Sequence, residues 1–383
     1  MRSADIVIIG AGVVGASVAY HLTQSGARDV LILEAEREQG RGSTGRATGG
    51  VRAQFETDIN INLSLYSIVF FKNWDFDCGY DPKGYLFFAT DEAQLEYLRK
   101  NVAKQISLGV RDVEVVDKNS IAAIVPGMNC DDIVGGSFGK HDGFIDPMAV
   151  MRGFTDGALR GGARIEFDRR VDRIETSDER VRGVRIDGRL VECDSVVLCS
   201  GALAKTLAAT AGVELPVEPQ RRQIVWAQTT RLLPVGLPMV IDIGSGFHFR
   251  PAKNSDREVL FAFPDVTEPA SVSTDFDDGF IEKVYERARH RAGFLSDSTV
   301  IRDRCRAGLY ENTPDHHAIL GGCDIEGLYL ANGFSGHGVM HSPATGRALS
   351  EIILDGRSSF LDVSCLSIDR FRTGKLLHET AFI

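Results

Sequence analysis

No stretch of this 383-residue chain reaches the roughly 18 uninterrupted apolar residues of a membrane-crossing helix. Positive charge is in deficit too: 43 Lys+Arg against 53 Asp+Glu leave a net charge of -10, which argues against nucleic acid or an anionic membrane surface as a partner. Cysteine is sparse, odd in number and scattered (Cys78, Cys130, Cys193, Cys199, Cys305, Cys323, Cys365), without CxxC or Cys/His ligand spacing. That pattern excludes a structural zinc module and predicts no metal; it reads as buried free thiols in a reducing compartment. Internal repeats, low-complexity tracts and long charge runs are missing as well. The stretch from Met1 to Tyr20 resembles a secretory signal only superficially, because Asp5 and three glycines at fixed offsets interrupt it. A soluble cytoplasmic protein is expected. Glycine, by contrast, is plentiful: 40 residues in short clusters, which usually means backbone passing close to a ligand. The length predicts two domains, or one large domain carrying an inserted second.

The first 35 residues are the most informative. Ile6 to Ile9 is a continuous β-branched run, followed by Gly10-Ala11-Gly12-Val13-Val14-Gly15, a helical stretch to Gln24, a stop at Gly26, and a second apolar run, Val30 to Leu33, ending at Glu34. This order of strand, glycine turn, helix, strand and acid predicts a right-handed βαβ unit of a parallel sheet covered on both faces. Gly10 allows the tight turn, Gly12 lets backbone approach a pyrophosphate, and Gly15 lets helix and strand pack closely. Glu34 stands where a carboxylate accepts both hydroxyls of an adenosine ribose and repels a 2′-phosphate. The motif alone serves NAD and FAD equally; the long glycine loop Gly40 to Gly50, directly after the second strand, favours FAD.

Further along, Ile59 to Trp74 is expected to be an amphipathic helix with Ile61, Leu65, Ile68, Val69 and Phe71 toward the core. Tyr85 to Thr90 reads as strand, Asp91 to Leu108 as helix, Pro126 to Pro147 as loop-rich, and Met148 to Leu159 as helix. Short strands at Arg164 to Phe167, Val171 to Glu175, Val181 to Ile186 and Ser195 to Cys199 suggest a small antiparallel meander returning to the parallel sheet. Gln223 to Ala227, Phe247 to Arg250 and Val259 to Phe263 suggest a separate antiparallel sheet. A charged helix, Phe280 to Ala292, and a helix from about Met340 to Leu354 follow.

Several motifs together resemble the D-amino acid oxidase and sarcosine oxidase family of flavoproteins. They are GAGVVGASVAYHL with Glu34, the loop from Gly42 to Arg52, Asp142-Gly143-x-x-Asp146-Pro147, Val196 to Gly201, Thr313-Pro314-Asp315, and GFSGHG from Gly333 to Gly338. The glycine loop is similar in style to those of the beta-type subunits of multisubunit sarcosine oxidase and dye-linked proline dehydrogenase. The resemblance implies an α/β fold: a Rossmann-like FAD-binding domain with a parallel sheet (1-76, 148-215 and 305-383) and an inserted α+β substrate domain with an antiparallel sheet (77-147 and 216-304). It places FAD against Gly10, Gly12, Val13, Val14, Gly15, Glu34, Ala35, Ser43, Thr44, Gly49, Gly50, Val171, Ser200, Gly201, Gly308, Gly336, His337, Gly338, Val339 and Met340. Amides of Gly336, His337 and Gly338 would face the flavin pyrimidine ring, although the same glycines also suit a plain helix cap.

Arg52 aligns with a substrate-carboxylate ligand of the sarcosine oxidases, the other reading being an internal or surface salt bridge. Tyr310 matches a tyrosine of the active-site wall, with core packing as the alternative. His248 alternates with aromatic residues and points either to the flavin or to solvent. Three positions depart from monomeric sarcosine oxidase: Gly308 replaces its flavin-bonding cysteine, Met340 a carboxylate-binding lysine, and 265–276 carries no lysine for oxygen activation. The expectation is therefore non-covalent FAD and hydride transfer to flavin N5 from the carbon next to nitrogen in a small amino acid or N-alkyl amino acid. A partner subunit or electron-acceptor protein would take up the electrons. A non-catalytic FAD-containing assembly subunit is the alternative.

Overall fold

The computed structural model describes residues 3–380. Its first sheet has the strand order Ile319–Gly322, Leu328–Asn332, Ser195–Leu198, Ile6–Ile9, Val30–Leu33, Arg164–Glu166. All neighbours run parallel except the edge strand Ile319–Gly322. The continuous apolar runs have a direct cause. Ile6, Ile8, Val30 and Ile32 point into one core with helices Val13–Gln24 and Gly338–Asp355. Val7, Ile9, Leu31 and Leu33 point into another, closed by the meander Arg173–Ser177, Arg180–Ile186, Arg189–Glu192 and the short helix Ala204–Thr210. Alternate side chains leave a strand on opposite faces, so a doubly covered sheet is apolar at every position. The two helices meet closely because small residues line the contact, and Ser17 Oγ donates to the carbonyl of Ser342 at 2.7 Å.

The second sheet is larger. It runs Thr299–Val300, Glu218–Gln228, Glu258–Ala262, His248–Pro251, Met239–Asp242, Tyr85–Ala89, Gly135–Gly139, Val113–Val116, with Arg306–Asn312 pairing the first half of Glu218–Gln228. Every neighbour pair is antiparallel except Met239–Asp242 with Tyr85–Ala89, the seam between its two stretches of chain. One face (Leu86, Phe88, Val240, Phe249, Val259, Phe261) packs on helix Gly279–Arg291 through Phe280, Val284 and Ala288. The opposite face carries Tyr85, Phe87, Met239, Ile241, His248 and Arg250, and it looks toward the glycine loops of the first sheet, since the Tyr85 hydroxyl lies over Gly50.

Four expectations are corrected. Val69 is 57% exposed and Leu65 only half-buried, because helix Asp58–Asn73 turns Asn60, Ser64, Ser67 and Phe71 inward. Small serines let helix Gly338–Asp355 approach: Ser64 Oγ lies 2.9 Å from His341 Nε2, and Ser67 Oγ accepts the Ala344 amide at 3.4 Å. The stretch 126–147 contains two strands, Gly135–Gly139 and Gly143–Phe144; glycine offers none of the β-branched bulk that signals a strand, and pairing on both sides holds the first. The strands Met239–Asp242 and Arg189–Glu192 were not anticipated. Among the cysteines, Cys365 is exposed and Cys323 half-buried, whereas the other five are buried. No helix among the described residues is long and apolar enough to cross a membrane.

Candidate active site

The strand Ile6–Ile9 ends at Gly10, where φ is +103° and a Cβ would stand 2.5 Å from the carbonyl oxygen of Cys199. A Cβ at Gly15 would collide with the carbonyl oxygen of Gly10, so only glycine lets helix Val13–Gln24 start so close to the strand. The helix has no side-chain cap at Gly12 and no acid in its first turn. Its positive end is therefore open to an anion. Thr44 Oγ1 accepts the Val13 amide at 3.1 Å and keeps its own proton for a phosphate oxygen. Glu34 holds the turn with Oε2 on the Ala11 amide at 2.9 Å and Oε1 on the Glu36 amide at 3.0 Å, leaving each oxygen a lone pair for a ribose hydroxyl. The Arg169 amide bonds the Glu34 carbonyl at 2.8 Å, which lays the chain leading to buried Val171 beside Glu34 and Ala35. Beyond the next strand, the Ser200 hydroxyl is buried without a partner among the described residues, and the space above Gly201 is open. A glycine cradle, an uncapped helix, a ribose-type acid and an orphaned hydroxyl fit a dinucleotide.

The other glycine motif lies at the far end. Leu328–Asn332 leads through Gly333 to Gly338 into a helix whose first turn also lacks an acid. Pro343 inside that helix cannot donate to the Val339 carbonyl; Ser342 Oγ does so instead, at 2.8 Å. Gly336 has φ +94° and the Tyr310 ring fills the place its Cβ would take. The His337 ring stands edge-on to Phe55, centroids 5.0 Å apart, and burial pushes its imidazole well toward neutral. Met340 shares a core with Val13, Val51 and Phe55, against which Val14 and Val339 also pack. The first and last cofactor motifs thus meet.

The loop from Gly42 to Arg52 joins them. Ser43 Oγ donates to the Leu309 carbonyl and Arg46 Nη1 to the Ala307 carbonyl, both at 2.8 Å. Gly308 consequently faces Arg46, whose Cβ lies 3.0 Å from where a Gly308 Cβ would be. Gly49 is followed by the short pairing of Gly50–Val51 with Gly143–Phe144. The DGxxDP motif has two structural duties here. Asp146 caps helix Pro147–Arg160, accepting the Met148 and Ala149 amides at 3.0 Å. Asp142 holds the segment after Arg52, with Oδ1 on the Ala53 amide at 2.7 Å and Oδ2 on Gln54 Nε2 at 2.9 Å; burial pushes its carboxyl up to about 6.

Arg52 is 3% exposed, with its guanidinium 3.8 Å above the Phe55 ring and Nη1 donating to the Gln54 carbonyl. Arg250 is also buried, bonded to the Thr48 carbonyl at 2.6 Å and stacked 4.1 Å from Phe144; burial lowers it to about 10. Arg222 lies 5.5 Å from the Tyr310 ring and its buried Nε has no partner among the described residues. None of the three has a carboxylate within 4.0 Å among the described residues. The salt-bridge reading of Arg52 therefore finds no partner. Tyr310 feels both Arg52 and Arg222, and Tyr85 feels Arg52 and Arg250, so these groups border one region. His248 belongs to it as well: burial, with Arg222 nearby, pushes its imidazole toward neutral, and Nδ1 sits 2.9 Å from the Gly246 carbonyl. Because a carbonyl only accepts, Nδ1 carries the hydrogen and Nε2 is left as an acceptor.

Sequence reasoning missed Tyr85, the clamping part of Asp142, and Glu311. Glu311 Oε2 is buried without a partner among the described residues, and burial raises the carboxyl to about 7. Arg222 lies in a polar stretch just before the run Gln223 to Ala227 that reads as strand. Nothing local marked the others.

Comparison with known proteins agrees with this geometry. The relative "FAD-dependent oxidoreductase domain-containing protein 1" of Xenopus laevis is 30% identical over 98% of this chain and 84% of its own length. The 4-methylaminobutanoate oxidase (formaldehyde-forming) of Paenarthrobacter nicotinovorans is 27% identical over 95% of this chain and 45% of its own. The crystal structure of L-proline dehydrogenase from P. horikoshii superposes with a TM-score of 0.90 at 25% identity, covering 98% of this chain and 100% of that one. The family model for FAD dependent oxidoreductases (DAO) matches residues 5–352, and the chain is accordingly a member of that family, an FAD-dependent oxidoreductase.

Proposed function

We propose that this enzyme oxidises the C–N bond of a small amino acid or N-alkyl amino acid, of the sarcosine or proline kind, with FAD held non-covalently. The observation that carries this reading is a set of three arginines, the buried Arg52 and Arg250 and the half-buried Arg222 with its buried Nε, none with an ion-pair partner among the described residues. A buried cation left unpaired costs several kcal/mol, and a substrate carboxylate relieves that cost where it binds. When bound, FAD supplies the two-electron acceptor for a hydride. The chain itself orients. Arg52 takes the carboxylate in a two-pronged grip, Tyr310 walls the site above Gly336, and the lone pair of neutral His248 accepts a hydrogen bond from the substrate, which arrives with its amine neutral. No protein nucleophile is required. The 4-methylaminobutanoate oxidase and the proline dehydrogenase are both named for N-substituted amino acids, which supports the same substrate class.

The acceptor of the electrons is proposed to be a dye-like carrier or partner protein rather than oxygen. The stretch 265–276 holds no lysine, and the next one, Lys283, is tied to Asp265 at 2.8 Å. Mixing the holoenzyme anaerobically with sarcosine, proline, glycine and their decarboxylated amines tests the reading. The amino acids should bleach the flavin and the amines should not; a dye should restore the colour faster than air-saturated buffer. Bleaching by none of the amino acids, or equally by the amines, would count decisively against it.

A separate outcome concerns attachment. Gly308 offers no thiol, and the nearby Cys305 packs in the core on the far face of the second sheet, its Sγ near the Trp226 amide at 3.4 Å. Acid precipitation should therefore leave the yellow colour in the supernatant. A yellow pellet would reveal a covalent site.

A further inference from the structure

The segment 370–380 crosses from the first sheet to the loop that carries Arg52, and it is fastened at both ends. At one end Arg370 and Asp315 form a buried pair at 2.7 Å, and the Leu377 amide donates to Asp315 Oδ2 at 3.2 Å. At the other end the Glu379 side chain, 1% exposed, accepts the Glu56 amide (2.7 Å), the Thr57 amide (3.2 Å), Thr57 Oγ1 (3.0 Å) and Asn60 Nδ2 (3.2 Å). The Thr380 amide returns a bond to Glu56 Oε2 at 2.7 Å. Thr57 is the N-cap of helix Asp58–Asn73 but makes no cap bond with its own side chain; a carboxylate arriving from more than 300 residues away holds that end of the helix instead.

The residues so fastened are the continuation of Arg52. Asp142 fixes Ala53 and Gln54 from one side, and Glu379 fixes Glu56 and Thr57 from the other. Between them Phe55 supports the guanidinium, and Gln105 Nε2 ties the Phe55 carbonyl at 2.8 Å. Glu379 is spent on these bonds, so it is not offered to a ligand. We propose that Glu379 is a positioning residue, through which the strap 370–380 sets the place of Arg52 and thereby the affinity of this enzyme for the carboxylate of its substrate. The proposal rests on the carboxylate role of Arg52. A displacement of about 1 Å in such a group is enough to cost a hundredfold, so a tie outside the site matters to it.

The test uses holoenzyme and pyrrole-2-carboxylate, a carboxylate with no oxidisable C–H beside nitrogen, titrated by the flavin difference spectrum, with pyrrole-2-carboxamide as the neutral control. Glu379→Ala should raise the Kd for the acid about tenfold or more, with FAD content and the Kd of the carboxamide within about twofold of wild type. With a proven substrate, KM should rise while kcat stays near wild type. Glu379→Gln should shift the acid Kd in the same direction but less than alanine, since its carbonyl can keep the Thr57 and Asn60 bonds of Oε2 while its NH2 faces the Glu56 amide. Asn60→Ala, which removes one of the four bonds, should shift the acid Kd several-fold in the same direction and decides the matter should Glu379→Ala fail to fold. An unchanged acid Kd overturns the proposal. So does a lower one, which would make Glu379 a competing anion, and so does equal weakening of acid and carboxamide or loss of FAD, which would make the strap a general support. Arg52→Ala run in parallel separates the two readings: if it too binds the acid like wild type, the carboxylate role of Arg52 fails first.

Discussion

Arg52→Ala is expected to retain FAD and to lose about 2 to 5 kcal/mol in substrate reduction, the usual cost of stranding one partner of a buried ion pair. At 1.4 kcal/mol per factor of ten, that is roughly thirty- to several-thousand-fold in kcat/KM. The loop that begins at Gly42, beside the phosphate cradle, reaches Arg52 after ten residues, and extended chain spans at most about 3.3 to 3.6 Å per residue, ample to run the length of the cofactor. At its end the guanidinium is buried on Phe55 and Phe87, 3.8 and 5.4 Å from their rings, with only a backbone carbonyl from Gln54 as acceptor among the described residues. Met340, where a second cation stands in monomeric sarcosine oxidase, is apolar and packed in the core. Arg52 then supplies most of the neutralisation. Arg52→Lys should recover only part of the loss, because one ammonium cannot reproduce the fork. Stopped-flow reduction with a proven substrate measures both variants. Wild-type rate and affinity in Arg52→Ala would move the carboxylate to Arg222 or Arg250.

How much of this could be read in advance follows from the range over which each signal acts. Gly10, Gly12, Gly15 and Glu34 lie within one βαβ unit, where spacing alone fixes geometry, and the structure builds that unit as expected. Val69 misled because periodicity weighs apolar character, while the face that is buried on helix Asp58–Asn73 is chosen by its neighbour and includes two serines. Gly135–Gly139 was invisible as a strand because its conformation comes from partners on both sides, Tyr85–Ala89 and Val113–Val116, rather than from its own residues. Asp142 and Glu379 were hidden for a related reason. Each acts on backbone amides some 89 and 323 residues away, respectively, and an acid that serves a distant amide has no local pattern. Arg222 and Tyr85 become meaningful only once the second sheet turns one face to the glycine loops.

A pair of glycine substitutions should divide the fold's needs from the cofactor's. At Gly15 a Cβ runs into the carbonyl oxygen of Gly10, which is backbone and cannot swing aside. Gly15→Ala must therefore push helix Val13–Gln24 off its strand, at the cost of about 1 to 3 kcal/mol typical of overpacking, and tilt the amides that receive the pyrophosphate. At Gly12 the nearest atom to a Cβ is Thr44 Oγ1 at 3.4 Å, an ordinary contact, so the protein alone accommodates alanine there. The cofactor does not, since that Cβ projects into the space backbone must share with the pyrophosphate. Losing one or two charge-assisted hydrogen bonds of about 1.5 to 3 kcal/mol each, Gly12→Ala should bind FAD about tenfold to about twenty-thousand-fold more weakly. Its apoprotein should melt like wild-type apoprotein. Gly15→Ala should show both the weakened FAD and a lower Tm in the apoprotein. Fluorescence titration of stripped protein with FAD, alongside thermal melts without it, measures the two effects separately. Were Gly12→Ala to bind FAD like wild type, the pyrophosphate would not lie over this turn, and the assignment of Thr44 and Glu34 would fall with it.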